Sequence, residues 1–160
     1  MPISFVRIDD RLVHGQVVEG WLPALRVNSV VVVSESAACD ELRKTLMRLA
    51  LPDKYKFGAF DAKMAAQYLK NLPPKEYAMV LADRPAEVLS ILRAGVRFDS
   101  VNVGGMHFAA GKMQIGRAFF LDDADKRNFR DIISMGIMLE GRGVPADNSE
   151  NFGDIIGEES

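Results

Sequence analysis

The chain contains very little cysteine and histidine, the residues that most often bind zinc or form disulfides. Its 160 residues include one cysteine, Cys39, and two histidines, His14 and His107. A single cysteine excludes an internal disulfide, and these three side chains cannot form a His/Cys zinc site without carboxylates. We expect a protein of a reducing compartment, the cytoplasm, that binds no metal and no other cofactor.

The sequence also lacks long apolar runs and an excess of charge of one sign. Apolar runs such as Val30–Val33 are far shorter than the roughly 20 residues of a membrane-spanning helix. The first residues have no basic lead before a long apolar core, so we predict no signal peptide. Lys and Arg total 20 against 22 Asp and Glu, a net charge of -2 that predicts no general binding to nucleic acid.

Apolar segments alternate with segments of helical spacing along what we predict is one domain, residues 1–160. The predicted strands are Ile3–Ile8, Ser29–Val33, Tyr55–Phe60, Tyr77–Ala82, Ser100–Val103, Met113–Phe120 and Ile137–Leu139. The predicted helices are Asp40–Leu49, Asp61–Leu69, Pro85–Arg93 and Asp122–Met135. This alternation predicts an α/β fold, an open and mainly parallel sheet with helices on both faces.

Two further predictions concern the helix after the second strand and the end of the chain. Leu42, Leu46 and Leu49 are spaced i, i+4 and i+7, so they form one apolar stripe, with the basic residues of that helix on the solvated face. The segment from Asp147 onward is polar, and we expect it to be loosely held.

The loop after the first strand is the strongest candidate for a functional site. In parallel sheets, ligands bind beyond the carboxyl ends of the strands. Here that position holds Asp9, Arg11 and His14. The segment Val17–Leu22 that follows could be a helix entered at Gly15, whose N-terminal amides could bind an anion. Neutral imidazole is a nucleophile that can carry a covalent group, and arginine can bind a phosphoryl group. We expect Asp9 to orient Arg11 or His14, although a helix-cap role for His14 and turn roles for the aspartates stay open.

The remaining candidates are weaker. Two adjacent glycines, Gly104 and Gly105, predict a tight turn with positive φ. We interpret His107 as a surface or packing residue, with its role left open. The aspartates after the first strand, with Asp61 and Lys112, also loosely resemble a metal-assisted aspartyl-phosphate site of receiver-type signalling domains. We rank that alternative below the first because it leaves Arg11 and His14 unexplained.

The run Arg7-Ile-Asp-Asp-Arg-Leu-Val-His-Gly-Gln-Val17 strongly resembles the phosphorylation-site segment of the IIB subunits of the mannose/fructose/sorbose family of bacterial sugar phosphotransferase systems. Four other segments match the family in order: Val30-Val-Val-Val-Ser34, Arg43-Lys-Thr-Leu46, Ser100-Val-Asn-Val-Gly-Gly-Met106 and Gly136-Ile-Met-Leu-Glu140. The resemblance thus covers nearly the whole chain. The chain departs from the family in its glycine-rich segment 140–145 and in having a histidine at position 107.

The resemblance implies a cytoplasmic phosphocarrier, which docks at the inner face of the membrane. His14 would accept a phosphoryl group, on Nδ1, from a separate phosphorylated IIA protein and pass it to a sugar entering through the membrane subunits IIC and IID. Arg11 and Asp9 match residues at that phosphoryl group, Gly15 and Gln16 supply amides to it, and Arg43 falls where the family docks its partners. A regulatory phosphoprotein of an incomplete system is the alternative. The sequence leaves open the sugar and any homo-oligomer.

Overall fold

The computed structural model describes residues 2–158 of the chain, so residues 1, 159 and 160 of the predicted domain lie outside it. The strands are β1 (Ile3–Asp9), β2 (Ser29–Val33), β3 (Lys56–Phe60), β4 (Ala78–Ala82), β5 (Ser100–Gly105), β6 (Met113–Ile115), β7 (Phe119–Leu121), β8 (Met138–Gly141) and β9 (Glu150–Asn151). The helices are α1 (Leu22–Ala24), preceded by a π-helical segment (Gln16–Trp21), α2 (Glu35–Ala38), α3 (Glu41–Ala50), α4 (Ala62–Lys70), α5 (Pro85–Arg93), α6 (Asp123–Ser134) and α7 (Phe152–Glu158).

Seven strands form one sheet in the order β3-β2-β4-β1-β5-β8-β9, parallel except for β9. Strands β2 and β4, which are adjacent, consist entirely of buried residues, because helices cover both faces of a parallel sheet. One apolar cluster packs α4 to α7 on one face, and the other packs the π-helical segment, α2 and α3 on the opposite face. The predicted α/β architecture is confirmed.

An aspartate caps the N-terminus of each of the three helices that were predicted to begin at an aspartate. The carboxylates of Asp40, Asp61 and Asp122 accept hydrogen bonds from backbone N–H groups three residues later, at distances of 3.0, 2.8 and 2.7 Å. These bonds satisfy amides that have no partner within the helix, and each such cap stabilises a helix by about 1 kcal/mol. Local sequence therefore fixes where these helices begin.

The apolar stripe of α3 lies on the side opposite to the one expected. Leu42, Leu46 and Leu49 are 70%, 57% and 76% exposed, and Met47 is the buried residue of the helix. Three basic residues of the helix are half-buried: Arg43, Lys44 and Arg48. The prediction of a solvated basic face was wrong, because long basic side chains pack their aliphatic stems against the protein while the charge stays near water.

Two other segments also differ from the prediction. The single strand expected over Met113–Phe120 is an antiparallel hairpin, β6 and β7, which turns at Gly116 with a φ of 64°. The C-terminal segment has more structure than its polarity predicts: β9 pairs with β8, and Phe152 is fully buried against Phe119 and Phe129. A few apolar residues within a polar segment are enough to hold it on the core.

Candidate phosphoryl site after strand β1

A buried, left-handed residue turns the chain at the end of β1. Leu12 has a φ of 58° and is fully buried, and its N–H donates to the carbonyl of Asp9 at 3.0 Å. That backbone conformation costs an L-residue about 1–2 kcal/mol, which burial of the leucine side chain offsets. The turn brings the side chain of His14 back to Asp9, the last residue of the strand.

Asp9 and His14 form a short hydrogen bond that determines which ring nitrogen is free. His14 Nε2 lies 2.7 Å from Asp9 Oδ2; the Asp9 carboxylate is fully buried and the His14 side chain is 14% exposed. An ionised carboxylate only accepts hydrogen bonds, so Nε2 carries the proton and the lone pair of the neutral ring is on Nδ1. The backbone N–H of Gln16 points to that nitrogen at 3.3 Å.

Arg7, which the sequence analysis did not select, is the second partner of Asp9. Its side chain is fully buried, and its Nη2 donates to Asp9 Oδ2 at 3.0 Å. The guanidinium also donates to Asn102, to the carbonyl oxygens of residues 142 and 143 at 2.9 and 3.0 Å, and lies 5.3 Å from the centre of the Trp21 ring. The signal in the sequence was an arginine inside a strand, where a buried charge requires a partner.

The charges of this network shift the pKa values of its members. Burial acts to raise the pKa of Asp9, but the hydrogen bond and charge of His14, the N–H of Arg11 and the charge of Arg7 together hold that pKa below its ordinary value. Burial lowers the pKa of Arg7, against the attraction of Asp9. Asp9 is therefore ionised at neutral pH, as its role as acceptor for His14 requires.

Gly104 and Gly105 give this network its space and do not form the tight turn expected. Both lie within β5, and neither has a positive φ. A Cβ at Gly104 would lie 1.9 Å from the guanidinium carbon of Arg7, and one at Gly105 would lie 2.6 Å from Asp9 Oδ1. The prediction of a turn was wrong because the glycines are needed for close approach of buried side chains, which only the folded structure reveals.

The other selected residues are placed differently relative to His14. The Arg11 side chain is 45% exposed, with Nε 3.7 Å from Asp9 Oδ1 and Nη2 donating to Gln16 Oε1 at 3.2 Å. Gly15, exposed, precedes the π-helical segment, and a Cβ there would meet no atom within 4 Å. Arg43 lies on α3 and donates from Nη1 to Ser36 Oγ at 3.3 Å. Gly15 and Gln16 directly follow the histidine, and Arg11 bonds to Gln16. Among residues 2–158, no hydrogen bond joins Arg43 to His14.

The residues of the receiver-type alternative do not come together. Asp9 is engaged by Arg7 and His14, Asp61 caps α4, and Lys112 pairs with Asp125 at 3.2 Å. Between residues 2 and 158 there is no group of three or more His, Cys, Asp or Glu side chains that could hold a metal ion. A metal-assisted aspartyl-phosphate site requires such a group of carboxylates.

A comparison with known proteins identifies the family of the chain. The family described as "PTS system sorbose subfamily IIB component" matches residues 3–160. The chain belongs to this family. It is a phosphotransferase component, a phosphocarrier that passes a phosphoryl group to an imported sugar. No helix among residues 2–158 has the length and apolar character needed to cross a bilayer.

Several relatives show how far this IIB similarity extends. The chain is 36% identical to the fructose-specific EIIB component of Bacillus subtilis over 157 residues, which cover 98% of this chain and 96% of the relative. It is 38% identical to the mannose-specific EIIAB component of Escherichia coli, covering 98% of this chain but 49% of that longer protein. The solved IIBSor domain of the sorbose permease of Klebsiella pneumoniae superposes with a TM-score of 0.93 at 34% identity, over 100% of this chain and 99% of that one.

Proposed function

We propose that His14 carries the phosphoryl group, on Nδ1, between a phosphorylated IIA protein and a sugar imported by membrane subunits IIC and IID. The single observation that supports this assignment is the bond from His14 Nε2 to the buried carboxylate of Asp9 at 2.7 Å. That bond leaves the lone pair on Nδ1, the nucleophile. The carrier then works in the cytoplasm and docks at the inner face of the membrane. The E. coli relative is named an EIIAB component, which combines A and B in one protein and supports a IIA protein as the donor.

In the transfer, Nδ1 attacks the phosphorus of the donor's phosphohistidine while the donor's N–P bond breaks. The proton on Nε2 stays in its bond to Asp9, so the ring becomes a cation next to an ionised carboxylate. The carboxylate that stabilises the phosphorylated ring is thus already in place before transfer. In the transfer to the sugar, a sugar hydroxyl bonds to the phosphorus and releases its proton to solvent, while the bond from Nδ1 to phosphorus breaks and its electron pair returns to the ring.

Arg11, Gly15 and Gln16 surround the position of the phosphoryl group. The Arg11 guanidinium is exposed enough to reach phosphoryl oxygens, and it would add charge-assisted hydrogen bonds to them. The N–H groups of Gly15 and Gln16 lie at the entrance to the π-helical segment, where they can donate to the same oxygens. In loose phosphoryl-transfer transition states, positioning and charge stabilisation supply most of the catalysis.

The test is reconstitution with a phosphorylated IIA protein and membranes that contain IIC and IID. Wild type should yield Nδ1-phosphohistidine and sugar phosphate, and His14→Ala should yield neither. Arg11→Ala should lower the maximal transfer rate about 10²–10³-fold, the usual effect of removing one stabilising donor. Arg43→Ala, the control on α3, should instead raise the donor concentration needed for half-maximal transfer.

Nδ1-phosphohistidine or sugar phosphate from the His14→Ala variant would refute the assignment. Phosphorylation of wild type without any sugar phosphate would indicate a regulatory phosphoprotein. An unchanged rate in Arg11→Ala would remove Arg11 from the mechanism.

A further inference from the structure

A second carboxylate–histidine pair lies in the loops beside the His14 site. The carboxylate of Asp10 accepts two hydrogen bonds from His107, one from the backbone N–H to Oδ2 at 2.6 Å and one at Oδ1 from the ring Nδ1, also at 2.6 Å. The His107 side chain is 55% exposed, and that of Asp10 is 29% exposed. The carboxylate therefore holds His107 at its backbone and at one nitrogen of its ring, which orders the residue more than a surface histidine without a partner.

The two pairs use opposite nitrogens of the ring. Asp9 holds Nε2 of His14, whereas Asp10 holds Nδ1 of His107. The ionised carboxylate of Asp10 accepts the Nδ1 proton, so the lone pair of the neutral His107 ring is on Nε2. In the described part of the chain, Nε2 has no hydrogen-bond partner. His107 thus combines an oriented ring, a carboxylate partner and a nucleophilic nitrogen. His14 has the same three features, except that its nucleophilic nitrogen also accepts a hydrogen bond from the N–H of Gln16.

The position of His107 makes its Nε2 accessible to the protein that donates the phosphoryl group to His14. Asp10 directly follows Asp9, and its N–H donates to the carbonyl of Gly105 at 2.9 Å, so both pairs lie at the carboxyl ends of β1 and β5. Residues 107–111 are all exposed. A protein that brings a phosphohistidine to His14, whose ring is only 14% exposed, approaches the edge of the sheet that also carries His107.

We propose that His107 is a second phosphoryl acceptor, modified on Nε2 by the same phosphorylated IIA protein. This inference rests on the proposed function of His14. Nε2 attacks the donor's phosphorus, the donor's N–P bond breaks and returns its electron pair to the donor imidazole, and the Nδ1 proton of His107 stays in its bond to Asp10. The product is a phosphorylated imidazolium next to the carboxylate of Asp10, and no proton or other reactant is needed.

The two positions differ in their access to water. His14 is largely buried, and His107 is mostly exposed. Water attacks an exposed phosphoramidate more readily, so the group on His107 should hydrolyse faster than the group on His14. When no sugar is present, phosphorylation of His107 followed by hydrolysis would then slowly consume the phosphoryl groups of the donor.

The experiment is phosphorylation by a IIA protein, which is then removed. Denaturation in alkali, where phosphohistidine survives, is followed by ³¹P NMR, which resolves the two phosphohistidine isomers. Wild type should give both isomers. His107→Gln should lose only the Nε2 isomer, and His14→Gln should lose only the Nδ1 isomer. Asp10→Asn, the matched control that keeps His107, should lower the Nε2 signal severalfold, with folding checked by circular dichroism.

Wild type that gives the Nδ1 isomer alone, with the same spectrum for His107→Gln, would overturn the proposal for His107 and leave His14 in place. An Nε2 isomer that persists in His107→Gln would overturn it too. Absence of the Nδ1 isomer from wild type would instead refute the assignment of His14, so the two failures are distinguishable.

Discussion

A single methyl group at Gly104 should disrupt the buried network beneath His14. In Gly104→Ala, the new Cβ would lie 1.9 Å from both Cζ and Nη2 of Arg7, far inside van der Waals contact. The guanidinium cannot move aside freely, because Asp9, Asn102 and two backbone carbonyls hold it in a fully buried position. The substitution should therefore displace Arg7 from Asp9.

The expected loss in the free energy of unfolding follows from the ion pair between Arg7 and Asp9, which the substitution breaks. Separating one partner from a buried ion pair leaves an uncompensated charge and costs about 3–5 kcal/mol. Total stabilities of domains are about 5–15 kcal/mol, so Gly104→Ala should lose a large part of the free energy of unfolding. Because Asp9 then loses the guanidinium of Arg7, the orientation of His14 should be less well defined and the rate of phosphoryl transfer should fall.

Urea unfolding provides the assay, followed by the fluorescence of Trp21, the single tryptophan, whose ring contacts Arg7. Gly15→Ala is the matched stability control, since its φ is -52° and a Cβ there meets nothing within 4 Å. That control should leave the free energy of unfolding unchanged or raise it by up to about 1 kcal/mol. If Gly104→Ala were within about 0.5 kcal/mol of wild type, Arg7 would not be the constraint on this position.

Four other substitutions test the fold and its electrostatics. The pKa of Asp9 is lower in the folded protein than in the unfolded chain, so the ionised carboxylate contributes its full stability above pH about 4. This stability is lost as the pH falls through the pKa of the folded state. In urea titrations, the destabilisation by Asp9→Asn should therefore be smaller at pH 3 than at pH 7. Met47→Ala should cost about 2–5 kcal/mol and Leu46→Ala less than about 0.5 kcal/mol; comparable losses in thermal melts would contradict the orientation of α3. Phe152→Ala should cost about 3–5 kcal/mol by calorimetry, and no loss would mean that the C-terminal segment does not support the core.

The sequence was sufficient for features that depend on local chemistry. A run of four valines predicted the buried strand β2, because a strand covered on both faces is rich in apolar residues. Aspartates predicted the starts of helices, because their carboxylates cap the first amides of a helix. The loop of Asp9, Arg11 and His14 was selected for a similar reason. Charged and nucleophilic side chains after a first strand fall at the edge of the sheet where ligands bind.

Features that depend on contacts between distant residues could not be predicted in this way. Periodicity located the apolar stripe of α3 but not its direction, which depends on what packs on the other side of the helix. The glycines at 104 and 105 looked like a turn, because their real partners, Arg7 and Asp9, are almost a hundred positions away. A resemblance to a known family supplied the role of His14, which spacing alone left open.

The bond between His14 and Asp9 also limits how the carrier meets its partners. The bond at Nε2 restricts rotation of the ring, so under the proposed function the phosphoryl group would arrive and depart through the same opening. A donor protein and a membrane complex would then compete for that opening, and the donor would have to leave before the membrane complex binds. An affinity too high for either partner would slow sugar phosphorylation.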